Sequence, residues 1–236
     1  MSESGLGAPV EGWTPPAVPG RMVLRGRYAV LEPLDPERHA AALFAAQRGA
    51  PGIWDYMPYG PFADEAAFRD HLAVQAAADD PRFFAICDAE SGLPGGVCSY
   101  LRITPGAGTI ELGHIWLSPA LQGTRIATEA FTLMIGWAFD AGYRRFEWKC
   151  NALNQASRRA AQRLGLSYEG VFRQAAVIKG RNRDTAWFVA IDAEWPALRQ
   201  AYADWLAPAN FDGEGRQRRA LSALTASVLA ARDPTL

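Results

Sequence analysis

Three apolar runs between residues 82 and 117, each of strand length, constrain this chain more than any other feature. "RFFAICD", "GVCSYLRI" and "TIELGHIWL" are separated by Gly92, Pro94 and Gly95 and then by the turn "PGAG". Short strand-like runs punctuated in this way form an antiparallel meander. Before them lie the strand "RYAVLEPL" and two stretches with helical spacing. One runs from Pro36 to about Arg48 through Ala40, Leu43 and Phe44, the other from Asp64 to about Ala78 through Phe68, Leu72 and Val74. After them the pattern predicts a helix over Thr128 to Ala141, the strand "RRFEWKC", and a helix from Gln155 to Leu164 that stops at Gly165 as at a glycine C-cap. Two last strands, "SYEGVFRQAAVI" and "DTAWFVAID", flank the turn "KGRNR".

This order predicts one mixed α/β (α+β) domain over residues 21–206. Residues 1–20, rich in Pro and Gly and without periodicity, read as an extended N-terminal arm, and residues 207–236 as a C-terminal helical extension. In that extension "GRQRRA" is expected to be the solvated face of a terminal helix.

Composition removes several classes of function. No apolar run among the 236 residues approaches the roughly 20 needed to span a bilayer, so no membrane partner is expected. The first residues lack a basic start followed by an apolar core, which argues against a secretory signal and for a cytoplasmic location. Cys87, Cys98 and Cys150 are odd in number and far apart in sequence, which suits reduced thiols better than disulfides or zinc. With three histidines at no metal-ligand spacing, no metal is expected. A net charge of −1, with Lys and Arg spread along the chain, argues against a nucleic-acid partner.

The chemistry concentrates where "LSPALQGTRIATEAF" passes from strand through loop to helix. Unpaired N–H groups and the positive end of the helix dipole suit such a turn to phosphate oxygens. Downstream, "CNALNQASRRAAQRLGLSYEG" sets Asn154 and Ser157 at the start of a second helix, so two helix starts on neighbouring strands could flank one extended ligand.

On these residues the chain resembles the GNAT acetyltransferase superfamily over roughly residues 25 to 195, in particular the branch that acetylates ribosomal-protein N-termini. The family's Gln/Arg-x-x-Gly-x-Gly/Ala loop corresponds to Gln122-Gly123-Thr124-Arg125-Ile126-Ala127, and its Asn-x-x-Ser…Leu-Gly element to Asn154, Ser157, Leu164 and Gly165. The resemblance implies a central mixed, mostly antiparallel sheet flanked by helices and splayed between the fourth and fifth predicted strands, "TIELGHIWL" and "RRFEWKC". Acetyl-CoA would lie in that gap as co-substrate. Backbone groups of Ile115, Trp116 and Leu117 would pair with its pantetheine amides, the loop amides from Gly123 to Thr128 would cradle its pyrophosphate, and Asn154 would touch the pantetheine arm. Glu111 corresponds to the glutamate that many members use as general base, directly or through water, and Ser157 is the available proton donor to the departing thiolate. On an alternating strand His114 is expected to face away from Glu111.

Three departures stand out. Arg125 occupies the family's middle glycine, where it either points outward and adds a charge for a phosphate or damages the site. Ala161 replaces the helix tyrosine with which many relatives protonate the thiolate, and Ala176 replaces a carboxylate that the ribosomal-protein branch can carry. The acceptor would be a small-molecule or peptide amine, met by Trp54, Tyr56 and Tyr59 as an aromatic lip with Asp55 for an ammonium; core packing or a lid is the other reading of that segment. The leading expectation is direct acetyl transfer to a primary amine. A non-catalytic acyl-CoA-binding sensor and an aminoglycoside-type antibiotic acetyltransferase are the rivals, and a homodimer is left open.

Overall fold

The computed structural model describes residues 7–236. Eight strands form one sheet in the order β1-β2-β3-β4-β5-β6-β8-β7. The expected meander is present as β3 (Arg82–Asp88), β4 (Pro94–Thr104) and β5 (Thr109–Leu117), and β2 (Ala29–Pro33) pairs antiparallel with β3. A two-residue strand not expected from the sequence, β1 (Leu24–Arg25), extends the edge. β6 (Arg145–Asn151) joins β5 in the sheet's one parallel pair, and β8 (Arg181–Ile191) and its hairpin partner β7 (Ser167–Ile178) continue antiparallel from β6.

Apolar side chains alternate across this sheet and are covered on both faces. On one face α1 (Pro36–Ala46) and α2 (Glu65–Ala77) enclose a cluster that includes Leu43, Trp54, Phe68, Leu72, Phe83 and Trp116. On the other, α3 (Arg125–Asp140), α4 (Gln155–Arg163) and α5 (Trp195–Leu206) cover a larger cluster with Phe84, Tyr100, Met134, Phe146, Trp148 and Phe188 at its centre. Each large side chain buried this way contributes roughly 1.5–3 kcal/mol. Local chemistry fixes the helix starts. Asp35 caps α1 by accepting from the amides of Glu37 and Arg38, Asp64 caps α2 through Ala67, Thr124 caps α3 through Ala127, and Asn154 caps α4 through Ser157.

Both tails lie against this body. Residues 7–20 of the expected arm carry no strand or helix, yet Pro16 and Pro19 are buried and the Tyr143 hydroxyl donates to the Ala17 carbonyl at 3.1 Å. The first six residues of the expected arm lie outside the described residues. The extension 207–236 is not helical as expected: beyond a short 3-10 turn it holds only α6 (Leu221–Leu224), and "GRQRRA" is an exposed non-helical loop. Tertiary bonds decide its path. Asp233 accepts two bonds from the Arg158 guanidinium at 2.6 and 2.7 Å, the Ala230 amide donates to Ser167, and Arg216 pairs with Asp212 and Glu214. No helix among the described residues is long and apolar enough to cross a membrane.

Candidate active site

Parallel pairing between β5 and β6 runs only from Thr109 opposite Arg145 to Leu112 opposite Trp148. Beyond it the strands part, and a cleft of about 400 Å³ fills the gap, lined by Ile115, Trp116 and Leu117, by Trp148, and by Asn154, Ala156, Ser157 and Ala160 of α4. A β-bulge sets this geometry. Ser99 faces Gly113 while Val97 faces Trp116, which leaves one extra residue on β5, and His114 there has φ +49°. The bulge reverses the alternation beyond it, so Ile115 and Leu117 pack toward the α3 face and Trp116 toward the α1/α2 face.

At its outer end the cleft meets the start of α3. That helix begins at Arg125, three residues earlier than the sequence pattern suggests, because Thr124 serves as its N-cap. Three cradle amides expected to be free are committed, that of Thr124 donating to the Leu121 carbonyl at 3.4 Å. The Ala127 amide donates to Thr124 Oγ1 and that of Thr128 to the Thr124 carbonyl, and both residues are buried. Among the described residues the amides of Gly123, Arg125 and Ile126 make no hydrogen bond, and Gly123 has φ +72°, a conformation that glycine adopts freely. Gln122 Nε2 donates to the Leu117 carbonyl at 3.1 Å and holds the loop to the end of β5.

Arg125 itself, as the first residue of the helix, has ordinary backbone geometry and points outward, its guanidinium 4.7 Å from the ring centroids of both Tyr28 and Phe211. It lines a second cleft of about 720 Å³ with Arg27, Arg163 and Arg216, opposite Asp88, Glu90 and Glu214, and Gly123 borders both clefts. Arg163 donates to Thr128 Oγ1 at 2.8 Å and has no carboxylate partner among the described residues, and burial lowers its pKa. Phe211, Arg216 and Gln217 bring the C-terminal extension into this wall, a contribution that no local sequence signal announces.

At its inner end the first cleft opens into a cavity of about 180 Å³ that shares Tyr56, Met57, Ile115, Trp148, Asn154 and Ser157 with it. Glu111 lines this cavity and is buried; Lys149 Nζ and Arg102 Nε both contact its Oε2 at 2.9 Å. Burial raises the Glu111 pKa from its ordinary value, against the pull of the two cations. Arg102 reaches it from a bulge in β4 at φ +47°, and Lys149 is also bound by Glu147 at 2.8 Å and lies 3.6 Å from the centroid of the Trp187 ring. His114 is on the same side as Glu111, because the bulge upsets the simple alternation that would have turned it away. It lines the same cavity, stacks on Tyr59 and packs on Phe83, and burial lowers its pKa to about 4, so it is neutral at pH 7. Ser157 Oγ accepts the Trp148 indole N–H at 2.9 Å, which leaves the hydroxyl proton free to be donated. Ala161 is fully buried in the core.

The segment expected to form an aromatic lip divides. Trp54 is only 1% exposed, with its indole N–H donating to Gln47 and its rings packed on Phe62 and Trp116, so it is core and reaches no cleft. Tyr59 supports His114 from behind, the two polar atoms 3.3 Å apart. Tyr56 lies on the wall of both inner spaces, its hydroxyl donating to the Leu153 carbonyl at 3.2 Å, and Asp55 lines a neighbouring groove. Arg102, Lys149 and Arg183 line the cavity without having been singled out by sequence reasoning. Charges at 145, 147 and 149, alternating with Phe146, Trp148 and Cys150, were the one available sign of a polar face.

Among the described residues Glu32, His39 and Cys87 form the one metal-like cluster, on the far side of the sheet edge. His39 Nδ1 accepts the Asp35 amide, which puts the neutral ring's proton on Nε2, the atom a metal would need bare.

With this geometry in place, comparison with known proteins is informative. The profile of the acetyltransferase (GNAT) domain matches residues 29–167. A crystal structure of a GCN5-related N-acetyltransferase from Brucella melitensis shares 45% identity with this chain, covers 92% of it and 100% of its own length, and superposes with a TM-score of 0.89. The Bacillus subtilis protein YdaF, described as a candidate ribosomal N-acetyltransferase, is 26% identical over 70% of this chain and 91% of its own. The microcin C7 self-immunity acetyltransferase MccE, solved with acetyl-CoA and AMP, is 22% identical, covers 70% of this chain and 93% of its own, and has a TM-score of 0.63, a likeness of fold.

Proposed function

Because the chain belongs to the GNAT acetyltransferase family and is an acyltransferase, we propose that it moves the acetyl group of acetyl-CoA directly to a primary amine. One observation carries this reading: a continuous path from the free amides of Gly123, Arg125 and Ile126, along the side of β5 that β6 leaves open, to the cavity of Glu111. The coenzyme's phosphates would meet those amides and Arg125. Its pantetheine would lie beside Ile115, Trp116, Leu117 and Asn154, with the thioester at Ser157.

In the transfer step the amine lone pair attacks the thioester carbonyl, a C–N bond forms, and the C–S bond breaks. The amine proton leaves toward Glu111, directly or through a water, and the CoA thiolate takes a proton through Ser157, whose hydroxyl is refilled from solvent as Glu111 releases its proton. Deprotonating an α-amino group at pH 7 costs about 1 kcal/mol, whereas a lysine costs roughly 4.5. Burial lifts the basicity of Glu111 against the pull of its two cations, while His114, with its pKa near 4, is a weak base; an α-amine asks less of this pair than a lysine does, so the site favours an α-amine. Catalysis is then mostly positioning and exclusion of water. A peptide N-terminus is the preferred acceptor, in line with the description of YdaF. Three buried free thiols fit a reducing, cytoplasmic setting.

The test is CoA release from acetyl-CoA with α-amine peptides, polyamines and aminoglycosides. Turnover of α-amines is expected. Tight coenzyme binding without turnover across the panel would replace this reading with a binding-only module, and turnover confined to aminoglycosides would replace it with an antibiotic-modifying enzyme.

A further inference from the structure

The acceptor end of the site carries an excess of positive charge that the transfer chemistry does not use. Beside the Glu111 cavity lies a groove of about 430 Å³, joined to it through Tyr56, Asn151 and Arg183. The two spaces together present Arg102, Lys149, Lys179, Arg181 and Arg183 against only Glu111 and Asp55. Arg102 and Lys149 are neutralised by Glu111 and Glu147, and Lys179 donates to the Trp54 carbonyl at 2.9 Å, which pins the β7–β8 hairpin over the groove.

Arg183 is different. It stands on β8 at the junction of the two spaces, forms no ion pair among the described residues, and its Nε is buried without a hydrogen-bond partner. A buried guanidinium N–H left without an acceptor is costly unless something arrives to fill it, and a guanidinium pairs best with a carboxylate or phosphate.

We propose that the acceptor is an amine bearing an anionic group one or two residues' length from its nitrogen, and that Arg183 receives that group while the amine points at Glu111. The proposal rests on the amine-acetylation reading above and names the acceptor's chemical class. It counts against polycationic acceptors, since a polyamine or aminoglycoside would set its remaining ammonium groups against Arg183 and Arg181.

The measurement is kcat/KM at saturating acetyl-CoA for the C-terminal amides of alanyl-glutamate, alanyl-glutamine and alanyl-lysine, with phosphoethanolamine against ethanolamine as the phosphate arm. The glutamate peptide, or phosphoethanolamine, is expected to exceed its neutral counterpart by about tenfold or more and the lysine peptide to be poorest. Arg183→Gln should bring the glutamate-to-glutamine ratio to within about twofold, and Arg183→Lys should retain most of it. A wild-type ratio near one, a ratio that survives Arg183→Gln, or an equal loss on every acceptor would overturn the proposal. If no amine is acetylated, the transfer reading fails by itself. Calorimetric binding of the N-acetylated peptides still decides the present point, since preference for the acidic peptide must appear in the wild type and vanish in Arg183→Gln.

Discussion

The two ends of the site are made of different material. The coenzyme cleft is built largely from backbone: a strand that leaves its partner, a helix start with three open amides, and one glycine at φ +72°. The acceptor cavity is built from side chains of four strands, with Arg102 on β4, Glu111 and His114 on β5, Lys149 on β6 and Arg183 on β8, roofed by Tyr56. Backbone devices need particular residues at short spacing and leave a compact trace in the sequence. A cavity assembled across a sheet depends on register, which no local stretch reveals. The comparison predicts that substitutions at the acceptor end alter rate and selectivity, while those at the coenzyme end alter affinity.

The largest expected effect falls on Glu111. Glu111→Gln should lower the acetylation rate at pH 7 by about 10²-fold or more while acetyl-CoA affinity changes by less than about threefold, with the rate recovering as pH rises toward the pKa of the amine. A rate loss under threefold would make Glu111 a structural member of the Arg102–Lys149 network. A comparable loss of coenzyme affinity would break the division between the two ends.

Those two regions also show how far sequence reading reached. The meander, the existence of the first four helices and the loop around Gly123 were legible because turn residues and periodicity act over a few positions. The start of α3 was misread by three residues, since the capping role of Thr124 outweighed the apolar pattern that begins at Thr128. His114 was assigned to the wrong face because a bulge inserts one residue into the count. The extension 207–236 read as helix because composition carries no record of the Arg158–Asp233 contact that directs it. Trp54 stood open between lip and core because the sequence does not show what packs against an indole.

His114 supplies the next effect in size. Its pKa near 4 in the folded chain lies below the ordinary 6.5, so the unfolded chain binds more protons between those values. Stability should therefore be lost as pH falls from about 6.5 to about 4, by up to roughly 3 kcal/mol from this ring. Burial lowers His39 and His71 in the same direction, so the informative quantity is the difference between wild type and His114→Gln in denaturant titrations across that window. Parallel pH profiles for the two proteins would remove His114 from the buried wall of the acceptor cavity.

At the coenzyme end the effects are smaller. Arg125→Gly should weaken CoA binding by on the order of 1–2 kcal/mol and leave binding of phosphate-free pantetheine unchanged. Equal losses for both ligands would mean that the stack on Tyr28 and Phe211 shapes the cleft and contacts no phosphate. Gly123→Ala should cost about 1 kcal/mol of stability from its backbone conformation alone, since an added Cβ would meet nothing within 4 Å.

Hydrogen exchange with and without acetyl-CoA addresses the central claim most directly, because it reads the backbone that is proposed to hold the coenzyme. Acetyl-CoA should slow exchange in the segments 113–117 and 122–127, and leave the β7–β8 hairpin around residues 176–183 unchanged. Protection confined to that hairpin, or none in either β5 or the start of α3 under saturating coenzyme, would contradict the account.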